Sequence, residues 1–201
     1  MRALFPLLLL AGCGPVVQVG RPPAPPAEHY VLSAPPGEAV PAGVTAVDPA
    51  RAVSVLAINA PSALATVRMP VRTDSTRISY LKAGEWSEPP ARMLGRLIEV
   101  RLAGDGVPVI DRRVTGRAAP TIVGGTLRAF EIDMTGASPK AQVRFDATLA
   151  GPGGTRLRSF DAEVPMARVE AGEAARALNQ AANEVAAGIA AWVAGSGKSG
   201  S

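Results

Sequence analysis

Hydrophobic and polar positions alternate most regularly in the second half of the chain. Val143, Phe145, Ala147 and Leu149 fall on one face of an extended segment, with Arg144, Asp146 and Thr148 on the other, the period-two pattern of a half-buried strand. Residues 121–134, 141–149 and 155–165 therefore predict three strands in a meander. Gly151-Pro152-Gly153-Gly154 predicts the turn between the last two. Gly124-Gly125 inside the first strand predicts a bulge or a close approach of another segment. Nearer the N-terminus, HYVLS at 29–33 reads as a short strand stopped by Pro35-Pro36. AVSVLAI at 52–58 has the near-continuous apolar character of a buried strand. Residues 69–73 and 107–110 predict short extended pieces. TRISYL at 76–81 alternates, with Ile78 and Tyr80 on one side and Arg77 and Ser79 on the other.

Two segments carry the helical period instead. Ser87 is the expected N-cap of the first, and Pro89 and Pro90 suit its opening turn, where a missing N–H costs nothing. Met93, Leu94, Leu97 and Ile98 follow at helical spacing, and Gly104 is the expected stop. The second helix spans 170–194, where Ala171, Ala175, Leu178, Ala182, Val185, Ile189 and Trp192 step by four and three. This stripe of mostly small side chains is expected to pack on the domain's own core. Together these elements predict an α+β fold, one mixed β-sheet with two main helices packed against it. No internal repeat or second domain is visible.

The first thirteen residues follow another logic. Arg2 precedes a short apolar run, Leu7 to Leu10, and then Ala11-Gly12-Cys13. The run is too short to span a membrane and has the layout of an export signal. Leu10-Ala11-Gly12-Cys13 resembles a bacterial lipobox, which implies cleavage before Cys13 and acylation of that residue as the new N-terminus. More than one acyl chain on Cys13 would suffice for stable attachment. Gly14 follows Cys13, where Asp commonly marks inner-membrane retention, so the periplasmic side of the outer membrane of a Gram-negative cell is expected. Residues 13–28 continue as a proline-rich tether, able to reach about 40–45 Å as polyproline II. The expected organisation is a signal peptide at 1–12, lipidated Cys13 and tether at 13–28, a domain at 29–194 and a disordered tail at 195–201.

Composition removes several functions. There is one His and one Cys, too few for a Cys/His zinc site or an internal disulfide. His29 lies beside the proline-rich stretch, a poor setting for a catalytic base, which needs rigid packing. Lys and Arg number 21 against 17 Asp and Glu, a formal +4 that becomes +3 when Arg2 leaves with the signal peptide. The densest basic cluster, Arg112, Arg113 and Arg117, contains no aromatic residue to stack on bases. Nucleic acid is therefore not expected as a partner, and no metal or other cofactor is implied.

Other candidate chemistry is thin. Gly195-Ser196-Gly197-Lys198-Ser199 resembles a phosphate loop only superficially, because Trp192 occupies the position of its first Gly and a helix precedes it. Glu85 with Glu88, and Glu131 with Asp133, are spaced as carboxylate pairs, but acid–base work needs a pocket that perturbs them. Glu88 in a first helical turn is already accounted for by the helix dipole. Tyr80 and Trp86 bracket a short linker, 82–85. Trp86 either staples the helix start against the core edge or forms part of a recognition surface.

At this corner the sequence resembles a family. Arg77-Ile78-Ser79-Tyr80, then Trp86-Ser87-Glu88-Pro89, then Leu94 and Leu97 on an amphipathic helix are similar to the central motif of ABC-type transport auxiliary lipoproteins, which include the PqiC-like proteins. Tyr30-Val31-Leu32 resembles that family's Tyr-x-Leu strand. Ser87 stands where Ala is common and Pro90 where Leu is usual. The resemblance implies a non-enzymatic lipoprotein serving an inner-membrane ABC transporter and an MCE-family protein that move lipids or other hydrophobic molecules between membranes. It makes Cys13 the lipid anchor and places Tyr80, Trp86, Glu88 and Pro89 in the shared motif, where they could contact a partner. Lipid is a further candidate ligand. The alternative is a structural or assembly lipoprotein of another envelope machine, such as a secretion system.

Overall fold

The computed structural model describes residues 28–36, 48–117 and 119–196. The expected signal peptide at 1–12, Cys13, the expected tether up to residue 27 and the chain from residue 197 lie outside the described residues, and residues 195–196, expected in a disordered tail, belong to the last helix. In chain order the elements are β1 (His29–Tyr30), β2 (Val53–Val55), β3 (Arg68–Arg72), β4 (Ile78–Trp86), α1 (Pro90–Gly104), α2 (Arg112–Thr115), β5 (Thr121–Asp133), β6 (Lys140–Gly151), β7 (Gly154–Pro165) and α3 (Ala171–Ser196). All seven strands share one mixed sheet in the order β1-β4-β3-β5-β6-β7, with β2 also on β5. The fold is α+β, as the periodicities predict.

The meander is the most extensively paired part of the sheet. β5, β6 and β7 pair antiparallel, and Gly154, at φ +98°, turns the hairpin where an L side chain would be strained. Val143, Phe145, Ala147 and Leu149 are buried as their alternation predicts. The close approach at the Gly pair falls on Gly125, at φ +151°, where a Cβ would stand 2.7 Å from the Phe145 ring. The bulge sits three residues later, between Leu127 and Ala129.

β2 and β3 both run parallel to β5 on its other edge, β2 at its start and β3 at its end. Between them Leu56 and Asn59 donate to the carbonyls of Val123 and Gly125, at 2.8 and 3.0 Å. That edge of β5 is thus satisfied along much of its length.

α3 lies across β6 and β7 and reaches β4 and β5, while α1 packs beside it. The apolar face of α3 is wider than the stripe legible in the sequence. Ala174, Ala177, Ala181, Ala186, Ala190 and Val193 are buried as well. The sheet face that alternates with the buried one carries cross-strand ion pairs. Lys140–Glu163 is at 2.7 Å, Arg144–Asp161 at 2.6 Å and Arg128–Asp146 at 2.6 Å.

Several elements differ from the periodicity reading. The strand expected at 29–33 pairs only at His29 and Tyr30, and that at 52–58 only at Val53–Val55. Residues 107–110 make one isolated bridge, Val53 with Val109. The basic cluster beginning at Arg112 opens the one-turn α2, which no hydrophobic period announces. The linker expected at 82–85 is strand, because β4 continues to Trp86. Alternation breaks there because Gly84 takes φ +80° and β4 spends more residues than β3 between their pairs Tyr80↔Pro70 and Glu85↔Arg68. The first helix begins two residues later than expected from an N-cap at Ser87. Pro89 is its N-cap, with no side-chain capping bond, and Pro90 opens the helix.

Candidate functional site

The corner between β4 and α1 is where the chain entering the domain is fastened. The Glu85 N–H donates to the Glu28 carbonyl at 2.9 Å and the Ser87 N–H to the Tyr30 carbonyl at 2.8 Å. On the other side, the Asn179 side-chain oxygen accepts from the Ser33 N–H at 2.8 Å, and the Asn183 amide donates to the Ser33 carbonyl at 2.9 Å. Residues 28–33 are thus strapped between β4 and α3. Asn179 and Asn183, four apart in an otherwise Ala-rich helix, lie on one helical face for that purpose.

Space for the strap comes from Gly84. A Cβ there would meet Ala171 Cβ at 2.6 Å and the Tyr30 ring at 2.9 Å. The Tyr30 hydroxyl donates to the Glu28 carboxylate, and that bond is the main reason the phenol is pushed above its ordinary pKa.

Trp86 closes this corner from within. It is 1% exposed and stands edge-on to Tyr30, at 6.5 Å between ring centroids, and to Phe130, at 5.5 Å. Its indole N–H is buried without a hydrogen-bond partner. Tyr80 has different neighbours. Its hydroxyl donates to the Ala63 carbonyl at 3.2 Å, and the Arg68 guanidinium lies 4.3 Å over its ring. Trp86 therefore belongs to the core reading of the corner, and Tyr80 to the packing of the 62–68 segment.

Glu88 lies one residue before the N-cap, not inside the first turn, and ion pairs account for it. Arg96 grips it with both terminal nitrogens, at 3.0 and 2.5 Å, and Arg92 approaches to 3.5 Å. The hydrogen bonds from Arg96, followed by the charges of Arg96 and Arg92, hold the carboxyl below its ordinary pKa despite some desolvation. Pro89 contributes its carbonyl, which accepts from Arg92 at 3.0 Å and Met93 at 3.4 Å.

Beside this pair a groove of about 220 Å³ opens between the strap and α1, lined by Val31, Leu32, Ala34, Met93, Leu97 and Val100 with Arg96. Sites that enclose a drug-sized molecule measure roughly 300–1,000 Å³. The groove suits a few side chains of a partner better than a whole lipid. Of the motif residues, Glu88 reaches it through Arg96, while Tyr80, Trp86 and Pro89 are not among its lining residues. Arg96 escaped the sequence reading. Its signal was its place eight residues after Glu88, two helical turns along α1.

Of the four candidate carboxylates, Glu88, Glu131 and Asp133 are engaged by cations. Glu131 is 2% exposed and bonds Arg72 at 2.5 and 3.1 Å. Asp133 accepts from the Thr135 N–H and hydroxyl, with Lys140 at 3.7 Å. Burial pushes the Asp133 carboxyl up, and the Thr135 bonds with Lys140 outweigh it, leaving the group below its usual value. Glu85 faces His29 and Arg68 in strand register and is not brought against Glu88 by any bond. Among the described residues no helix is long and apolar enough to cross a membrane.

The family model for the ABC-type transport auxiliary lipoprotein component matches residues 30–190. No curated protein matches the chain. Among solved structures, protein XCC0632 from Xanthomonas campestris, of family DUF330, superposes with a TM-score of 0.66 at 18% identity, covering 87% of this chain and 98% of that one. Another, described only as an uncharacterized protein, gives 0.65 at 16% identity, covering 83% and 98%. At these identities the two structures bear on the fold alone.

Proposed function

The chain belongs to the ABC-type transport auxiliary lipoprotein component family, and from that premise we propose that it is a periplasmic lipoprotein held at the outer membrane by acylated Cys13. In this reading it is a non-catalytic accessory of an inner-membrane ABC transporter and an MCE-family protein that pass lipid or another hydrophobic molecule across the envelope. The observation that carries the reading is the strap. Residues 28–33 are bonded to β4 on one side and to Asn179 and Asn183 on the other, at the point where a tether from Cys13 would enter the domain.

The tether would set the reach of the domain from the membrane, about 40–45 Å when extended, and the strap would fix its orientation. The groove between strap and α1, with Glu88 and Arg96 beside it, is then the surface offered to the bridging protein. In this reading Tyr80 and Trp86 serve packing and Pro89 caps the start of α1, and none of them needs to touch the partner. The groove's size argues that the domain positions the transport machine and does not itself carry the lipid.

Two experiments test this. Cells fed labelled palmitate should label the wild-type protein and not Cys13→Ala, which should leave the membrane fraction; label retained on Cys13→Ala would remove the anchor. Deleting the gene together with that of the MCE protein should give no greater permeability defect than either deletion alone. Additive defects would place the two in separate pathways.

A further inference from the structure

The sheet has one long edge that nothing among the described residues covers. β1, at the opposite end, is two residues long and strapped down, and the far edge of β5 is lined by β2, β3 and the segment between them. β7 pairs with β6 at every position from Lys140↔Pro165 to Gly151↔Gly154, without a bulge, and ends the strand order. Its outer side is therefore a twelve-residue edge along which alternate residues present backbone donors and acceptors. Bulges, edge prolines, short edge strands and charged side chains are the usual ways to blunt such an edge, and before Pro165 β7 has only the last of them.

At the start of β7 that charge is positive. Residues 154–159 are all exposed, and Arg156 and Arg158 alternate there with Leu157, itself 77% exposed. The Arg156 guanidinium lies 6.0 Å from the Trp192 ring centroid and that of Arg158 5.0 Å from the Phe160 ring. Neither arginine pairs with a carboxylate among the described residues, whereas Arg144, Arg128 and Lys140 on the neighbouring strand and bulge all do. Both distances fall within the range of a cation–π contact.

We propose that the outer edge of β7 takes up an extended segment of a partner protein by strand addition, and that Arg156 and Arg158 select a segment of the form acidic–apolar–acidic. Residues two apart on an added strand share a face. Two carboxylates would then meet the arginines, and the apolar residue between them would lie on the Leu157 side. A second copy of this chain is disfavoured as occupant, because pairing the exposed ends about Leu157 sets Arg156 against Arg158. The proposal concerns a surface away from the groove and stands whether or not the protein serves lipid transport.

The test uses the full-length chain in detergent and labelled seven-residue peptides of alternating Thr and Val with either two Glu or two Lys at the third and fifth positions. The Glu peptide should bind at least about tenfold more tightly than the Lys peptide. In the double variant Arg156→Glu/Arg158→Glu that preference should reverse, a gain that an unfolded variant cannot mimic. N-methylation of one alternate set of peptide amides should abolish binding of the Glu peptide, and methylation of the other set should not. Equal binding of the Glu and Lys peptides, equal tolerance of both methylation patterns, or no binding of the Glu peptide would each overturn the proposal. So would an edge-mediated dimer that excludes the Glu peptide.

Discussion

Tyr30 meets Trp86 edge to face, with ring centroids 6.5 Å apart and the planes at 73°. The first strand of the domain is thereby tied to the last residue of β4, and through Trp86 to Phe130 on β5. A pull on the N-terminal tether would be resisted by this stack together with the backbone bonds of Glu85 and Ser87.

Gly84 makes the stack possible, so Gly84→Ala should be costly. The new Cβ would crowd Ala171 and Tyr30 at a backbone of φ +80°, and the expected loss is about 2–4 kcal/mol. Urea unfolding of the variant beside the wild type measures it. A loss comparable to that of Gly153→Ala, where a Cβ meets nothing within 4 Å, would contradict the packing account.

Trp86 should behave as a core residue. Trp86→Ala is expected to cost about 3–5 kcal/mol. Trp86→Phe should cost much less, since it keeps an aromatic ring and removes a buried N–H that has no partner. Thermal melts of the two variants check the order, and equal losses would show that the indole N–H matters.

The Arg72–Glu131 pair joins β3 to β5. Removing Arg72 leaves Glu131, 2% exposed, without its cation, and Arg72→Ala should cost about 2–4 kcal/mol. Arg96→Ala, which breaks a solvent-facing pair with Glu88, should cost no more than about 1 kcal/mol. Chemical denaturation should separate the two variants. Similar losses would contradict the burial argument.

Acid should weaken the fold. Hydrogen bonds and neighbouring cations hold Asp74, Glu88, Asp146 and Glu173 below their ordinary pKa values. For Asp146 the Ser159 hydroxyl is the largest cause, and for Glu173 the Ala167 N–H. A carboxyl depressed on folding contributes stability above its unfolded pKa, which is lost as pH falls through the folded value. Urea midpoints should therefore decline from about pH 5 downward. A midpoint that holds or rises over that range would contradict the assignment.

The helices and the meander were legible because their periodicities are local: steps of four and three in α3, alternation in β6. The parallel pairings of β1 with β4 and of β2 with β5 were not, since two or three residues carry no period and their partners are distant in sequence. At the candidate site, the motif from Tyr80 to Pro89 was visible, but its division of labour was not. Gly84 hides the strand character of 82–86 by reversing the alternation. Asn179 and Asn183 reach Ser33 across roughly 150 positions, a contact that only the folded chain brings about.

The most direct test of the central claim is co-purification of the acylated protein from membranes in mild detergent, with Arg96→Glu as a control that disturbs the groove without touching Cys13. The account predicts that the wild type recovers an MCE-family protein together with ABC transporter subunits, and that Arg96→Glu stays in the membrane and recovers less. Recovery of none of these by the wild type in several mild detergents, or of components of a different envelope machine instead, would contradict it.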